Sequence, residues 1–162
     1  METIPYYYGI HSNIQSMKPS TDPVRDVMDA LLELRLELSL LNHRIAAEVG
    51  LNDVDLDCLE VISRQGPISP ARLTRRLRIH PATMTGILAR LVDSGWIERT
   101  ADPDDRRASV LKIADERDAR LRKRYATPRQ AVADAISSRS EDDVAVVMAV
   151  LNDLASQVRN AG

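Results

Sequence analysis

Few residues in this 162-residue chain carry the chemistry of catalysis. It has three histidines and one cysteine, and no glycine-rich loop that would cradle a phosphate. No catalytic-triad grammar and no paired carboxylates stand out. Cys58 alone can form neither an internal disulfide nor a cysteine-rich metal site, and no second ligand lies at zinc spacing from His80. No enzyme, no metal and no cofactor is expected. Charge is the more informative resource. From Arg64 to Arg107 there are nine Arg against five Asp or Glu, a balance of +4. The remaining residues hold thirteen Lys or Arg against nineteen acids, a balance of −6, and Asp22 to Glu60 alone has ten acids and three bases. A basic middle carried on an acidic scaffold suits one polyanion-facing region. The net charge of −2 argues against a protein that coats nucleic acid wholesale.

Inside that basic region one stretch is built to be seen from outside. Met84, Ile87, Leu88, Leu91 and Val92 recur at helical spacing and make one apolar stripe. Ala82, Gly86, Ala89 and Arg90 fall on the opposite face, with Thr83 and Thr85 on its flanks. An ordinary surface helix carries Glu and Lys there. Short side chains instead let the backbone come close to a partner, and the DNA major groove has the width for a helix. A plain amphipathic helix with a quiet surface fits the stretch equally well, so its neighbours must decide.

Those neighbours are short and punctuated. Asp22–Pro23 is an N-cap with proline at N1, opening a long helix to about Val49 that Gly50 ends. Its apolar positions cover more than one face, as in a helix that meets several neighbours or another subunit. Asn52 or Asp53 opens a second helix to about Arg64, with Leu56, Leu59, Val61 and Ile62 inward, and Gly66–Pro67 breaks it. Ser69–Pro70 repeats the cap for a short helix, Ala71–Leu77, with Ile68 placed to staple onto Leu73. Ile79–His80–Pro81 repeats it again, with His80 as a capping or phosphate-facing side chain. Two short helices about three residues apart form a helix-turn-helix candidate. Gly95 is the expected C′ glycine. Trp96–Thr100 and Ala108–Ile113 are strand candidates flanking a turn, Ala101–Arg107, that ends in Arg106 and Arg107. A hairpin directly after a helix-turn-helix is a wing, and arginine at its tip suits the minor groove. A solvated hairpin with internal Asp–Arg pairs is the competing reading.

Asp115–Ser138 is helical and highly charged, with a kink or a fresh start expected at Thr127–Pro128. Ser140 opens a last helix with Val144, Val147, Met148, Leu151, Leu154 and Val158 on one stripe. The fold class expected is mainly α: a winged helix-turn-helix over 51–114, with a two- to three-stranded β-wing. It is flanked by dimerisation helices at 22–50 and 115–162, and by a flexible arm at 1–21 that includes Tyr6–Tyr7–Tyr8. No apolar run approaches a membrane span, and the N-terminus lacks a secretory pattern, so the cytoplasm is expected.

The order of elements resembles the MarR (multiple antibiotic resistance regulator) family of winged-helix transcription factors from about Asp22 to Val158. The resemblance rests on Gly66–Pro67–Ile68–Ser69, Leu73, His80–Pro81–Ala82–Thr83–Met84–Thr85, Leu91–Val92–Asp93–Ser94–Gly95–Trp96–Ile97–Glu98–Arg99, and the wing run Asp102–Pro103–Asp104–Asp105–Arg106–Arg107. It implies a homodimer, a recognition helix at Pro81–Ser94 in the major groove, wing arginines in the minor groove, and release of DNA by a small ligand or oxidant. The sequence departs from the family where Ile113–Ala114–Asp115–Glu116–Arg117 replaces Leu-Thr-x-x-Gly, so Asp115 is a candidate cap for the next helix. It departs again at Gly86 and Ala89, where many relatives carry a base and an acid.

The function expected is that of a homodimeric, sequence-specific regulator on a double-stranded DNA operator, a repressor relieved by a small-molecule effector. Thr83, Thr85 and Arg90 would meet bases or phosphates, and Pro81, Ala82 and Gly86 would let the helix approach. Arg72, Arg75, Arg76 and His80 would touch phosphates, and Arg106 and Arg107 would anchor the wing. His43, Arg44, Asp57 and Arg64 are the polar candidates for effector binding. The alternatives are a winged helix that binds only protein, and a regulator controlled by oxidation of Cys58. The apolar run around Cys58 favours packing instead.

Overall fold

The computed structural model describes residues 21–102 and 108–161. The arm with its three tyrosines, and the wing tip with Arg106 and Arg107, lie outside them. Among the described residues, six helices and two strands follow in the order α1 (Pro23–Val49), α2 (Asp53–Gln65), α3 (Pro70–Leu77), α4 (Pro81–Asp93), β1 (Ile97–Ala101), β2 (Ser109–Ile113), α5 (Asp115–Ser137) and α6 (Glu141–Ala161). None of the described helices is long and apolar enough to cross a membrane. The chain divides into two units between Cys58 and Leu59, inside α2.

In the first unit, α1 starts where its chemistry dictates. The Asp22 carboxylate accepts hydrogen bonds from the amides of Val24 and Arg25, two of the donors that a helix leaves unmet at its first turn. Gly50 at φ +77° ends the helix: its N–H reaches Ala47 O at 3.3 Å, and Leu51 N–H reaches Ala46 O at 2.9 Å. That crossed pair needs a left-handed residue at C′. Asn52 is the cap of α2, its side chain accepting from Asp55 N–H at 2.8 Å. Along α1 only Ile45, Ala46 and Val49 are buried, while Val24, Val27, Met28, Leu32, Leu34, Leu36 and Leu38 are exposed. Cys58 is fully buried.

The second unit holds the layered part of the fold. β1 and β2 pair antiparallel with Ile97 opposite Ile113 and Arg99 opposite Leu111. α4 packs on β1 and α3 on β2. Leu73, Met84, Ile87, Leu88, Leu91, Trp96, Ile97, Leu111 and Ile113 are buried. Ile68, the residue expected to staple onto Leu73, also serves the sheet. Ile68 pairs with Leu111 through two backbone bonds, N–H to O at 3.2 Å and O to N–H at 2.8 Å, adding a third, one-residue rung to the wing sheet. Val61, expected inward, is only half-buried.

Two further expectations need correcting. Of the two alternatives at Thr127–Pro128, the fresh start is not found: α5 runs through Pro128 without a new cap at Thr127. The proline removes one hydrogen bond from a 23-residue helix, and the remaining ladder carries it across. Asp115 does not cap α5. Ala114 holds the cap position with no side-chain bond, and Asp115 instead pairs with Lys112 at 2.7 Å. That hydrogen bond holds the Asp115 carboxyl below its usual range and raises the Lys112 ammonium. The carboxylate's share is present above its unfolded titration and lost as pH falls through the lowered one. The ammonium's share is present below its unfolded titration and lost as pH rises through the raised one. Both groups are exposed, so the pair registers the start of α5 more than it stabilises it. α6 carries its apolar stripe on the outside of the chain. The helix begins as expected at Ser140, whose hydroxyl accepts from Asp143 N–H, but it buries no residue. Val147, Met148, Leu151 and Val158 all stand exposed.

α4 ends in the same crossed pair as α1, with Gly95 at φ +68° donating to Val92 O and Trp96 donating to Leu91 O, both at 2.9 Å. A side chain at Gly95 meets no neighbour, so the cost of Gly95→Ala is conformational alone. We expect that variant to lose about 1–2 kcal/mol in urea unfolding.

Candidate nucleic-acid interface

Each helix of the pair is short because each is bracketed by its own cap. Ser69 Oγ accepts from Arg72 N–H at 3.4 Å, and Pro70 occupies N1 of α3. α3 closes with the crossed pair of a left-handed C-terminus, Arg78 N–H to Arg75 O at 3.4 Å and Ile79 N–H to Thr74 O at 3.3 Å. Here the left-handed residue is Arg78, at φ +54°. It is the one described non-glycine residue with positive φ, and nothing in its residue type announces it. Three residues later α4 begins. His80 Nδ1 accepts from Ala82 N–H at 3.3 Å, which makes it the cap, and Pro81 follows at N1.

α4 buries Met84, Ile87, Leu88 and Leu91. Val92, counted with that stripe from its spacing, is 37% exposed. It sits at the rim of the stripe, at the last turn of the helix. Pro81, Ala82, Thr83, Thr85, Gly86, Ala89 and Arg90 are all exposed. The Thr85 hydroxyl donates to Pro81 O at 3.0 Å, one turn back. A Cβ built on Gly86 meets no atom within 4 Å, so internal packing does not require glycine there. Arg72, Arg75 and Arg76 are exposed on α3.

Sequence reasoning missed the lock at the far end of α4. The Arg117 guanidinium lies over the Trp96 ring, 5.1 Å from its centroid, and donates to Ser94 O at 3.3 Å. Ser94 Oγ donates to Arg90 O at 2.7 Å. A basic residue one turn into the helix after a buried tryptophan was the available signal. The effector candidates lie on α1 and α2. His43 Nδ1 lies 3.2 Å from Asp53 Oδ1, Arg64 pairs with Glu60 at 2.6 Å, and Arg44 and Asp57 are exposed. Among the described residues no cluster of His, Cys, Asp and Glu is arranged to hold a metal.

Two capped helices, a three-residue turn and an antiparallel hairpin stacked on the second helix define a winged helix-turn-helix protein. The chain belongs to the MarR family of transcriptional regulators. The MarR family model matches residues 51–109, from α2 into the second strand. An HTH-type transcriptional regulator of Mycobacterium bovis, Mb0904, is 32% identical over 118 residues, covering 71% of this chain and 80% of the relative. The transcriptional regulator PecS of Dickeya dadantii is 25% identical over 137 residues, covering 83% of this chain and 82% of PecS. The fold matches that of Streptococcus pneumoniae FabT in its complex with DNA, at a TM-score of 0.67 and 19% identity, over 86% of this chain and 99% of FabT.

Because Gly86 fills no internal need, Gly86→Ala should raise stability by about 1 kcal/mol through helix propensity. Chemical unfolding of the purified variant reads this directly.

Proposed function

We propose that this chain binds double-stranded operator DNA as a homodimer, with α4 in the major groove and the wing in the minor groove. The observation that carries the reading is the outward face of α4. It is exposed, short-chained and uncharged over its first two turns, within a fold that the relative FabT has in a complex with DNA. Thr83, Thr85 and Arg90 contact bases or phosphates, while Pro81, Ala82 and Gly86 set the approach. Arg72, Arg75, Arg76 and His80 supply phosphate contacts, which fix position without reading sequence. Arg106 and Arg107 anchor the wing.

Residues 51–114 form the DNA-binding region, and 22–50 with 115–162 form the dimerisation region, with 1–21 as an arm. The support is apolar surface left in water. Met148 is 61% exposed and Val147 52%, on a helix that buries nothing, and α1 exposes seven further large apolar residues along its length. Surface of that kind marks an interface. A symmetric dimer presents two reading heads to two half-sites about one helical turn apart. Repression relieved by a small effector acts through the spacing of those heads, with His43, Arg44, Asp57 and Arg64 as the candidate contacts. An effector does so only by binding one spacing more tightly than the other.

Fluorescence anisotropy on a DNA duplex from the adjacent promoter tests the reading. If six to ten phosphates are neutralised per dimer, affinity should fall as roughly the sixth to ninth power of salt concentration. A flat salt response contradicts it. Arg106→Ala with Arg107→Ala should weaken binding by at least about tenfold and flatten the salt slope. Unchanged binding removes the wing from the interface. Sedimentation equilibrium should give twice the 18.1 kDa chain mass.

A further inference from the structure

The inference below rests on the proposed DNA-binding reading and names what the reading head recognises. The hydrogen-bonding inventory of α4's exposed face is short. His80 Nδ1 is taken by the cap. The Thr85 hydroxyl proton is spent on Pro81 O at 3.0 Å, so Thr85 offers a partner its methyl group and no donor. Ala82, Gly86 and Ala89 have no polar side-chain atom, and they occupy the line directly opposite the buried Met84, Ile87, Leu88 and Leu91. Thr83 and Arg90 lie together on one flank of that line. The first two turns therefore carry no Asn, Gln, Lys, Asp or Glu.

Major-groove edges differ in what they demand. Guanine is read by paired donors on Arg or Lys, adenine by the amide of Asn or Gln, and cytosine by an acceptor. Thymine alone presents an apolar group, its C5-methyl, which is met by Ala or by a threonine methyl. Gly86 leaves the space beside Ala82 empty, since a Cβ there touches nothing, and a base-edge methyl can enter it. We propose that Thr85, Ala82 and Gly86 read thymine C5-methyl groups at the centre of each half-site, leaving Arg90 as the charged base contact on the flank.

The test uses the full-length protein and duplexes it selects from a random-sequence pool. The tightest duplex is then made with thymidine or with deoxyuridine, which differ only by the C5-methyl. Deoxyuridine should weaken binding by roughly fourfold per contacted methyl, the transfer free energy of one buried methyl-sized group. Thr85→Ser keeps the hydroxyl bond to Pro81 and removes only the methyl, so it should shrink the thymidine-to-deoxyuridine ratio. Arg90→Ala should weaken both duplexes alike. Equal wild-type affinity for the two duplexes overturns the inference while leaving DNA binding intact. A deoxyuridine penalty that Thr85→Ser leaves unchanged also overturns it, assigning the effect to duplex shape. Selection of no duplex at all overturns the DNA-binding reading beneath it.

Discussion

Two backbone hydrogen bonds between Ile68 and Leu111 hold the second unit in register. Both residues are essentially free of solvent contact, Ile68 at 1% and Leu111 at 0%. In that setting an unmet amide or carbonyl costs far more than a surface bond gains, so the pairing is strongly specified. Its position matters more than its strength. Ile68 directly precedes the cap of α3, and Leu111 is the centre of β2. One rung therefore fixes where the helix pair starts relative to the hairpin. β1 then follows α4 through a tight glycine turn, and Arg117 over Trp96 closes the far end. α4 is clamped at both termini by groups that leave its outer face untouched.

That clamp gives physical content to the bare face. A helix held only by its buried stripe can roll, and its outer residues then have no defined partner. Here the N-terminus is capped by His80 and the C-terminus by the crossed pair at Gly95, so the outward line is fixed. A site on a rigid element can read small differences in a base edge, because no ordering cost is incurred on contact. The family relationship sets the class of partner. On the proposed reading, the particular side chains on α4 set what this chain reads within it.

Much of this was legible in the residues. The caps at Asp22, Ser69 and His80, each followed by proline, placed three helix starts, and Gly50 and Gly95 placed two helix ends. These signals are local: a side chain or a missing Cβ acts on its own backbone. The left-handed turn at Arg78 was not legible, because the turn length forces it and no residue type signals it. At Pro128 the fresh start fails for the opposite reason. Proline is a strong local breaker, but one lost bond does not end a long, otherwise regular helix. The backbone pairing of Ile68 with Leu111 was not legible either, since strand pairing at 43 residues' separation leaves no local mark. Val92 has the stripe's spacing, but periodicity does not say where a stripe's rim falls.

On the proposed reading the N-terminal turns of α4 lie in the major groove. A hydroxyl-radical source tethered at position 82 through Ala82→Cys tests it most directly, since the native Cys58 is fully buried and will not take the label. On bound duplex, cleavage should fall within each half-site on both strands, in two clusters about one helical turn apart. Retained binding with cleavage only at the edges of the protected region, or with none, would contradict the account.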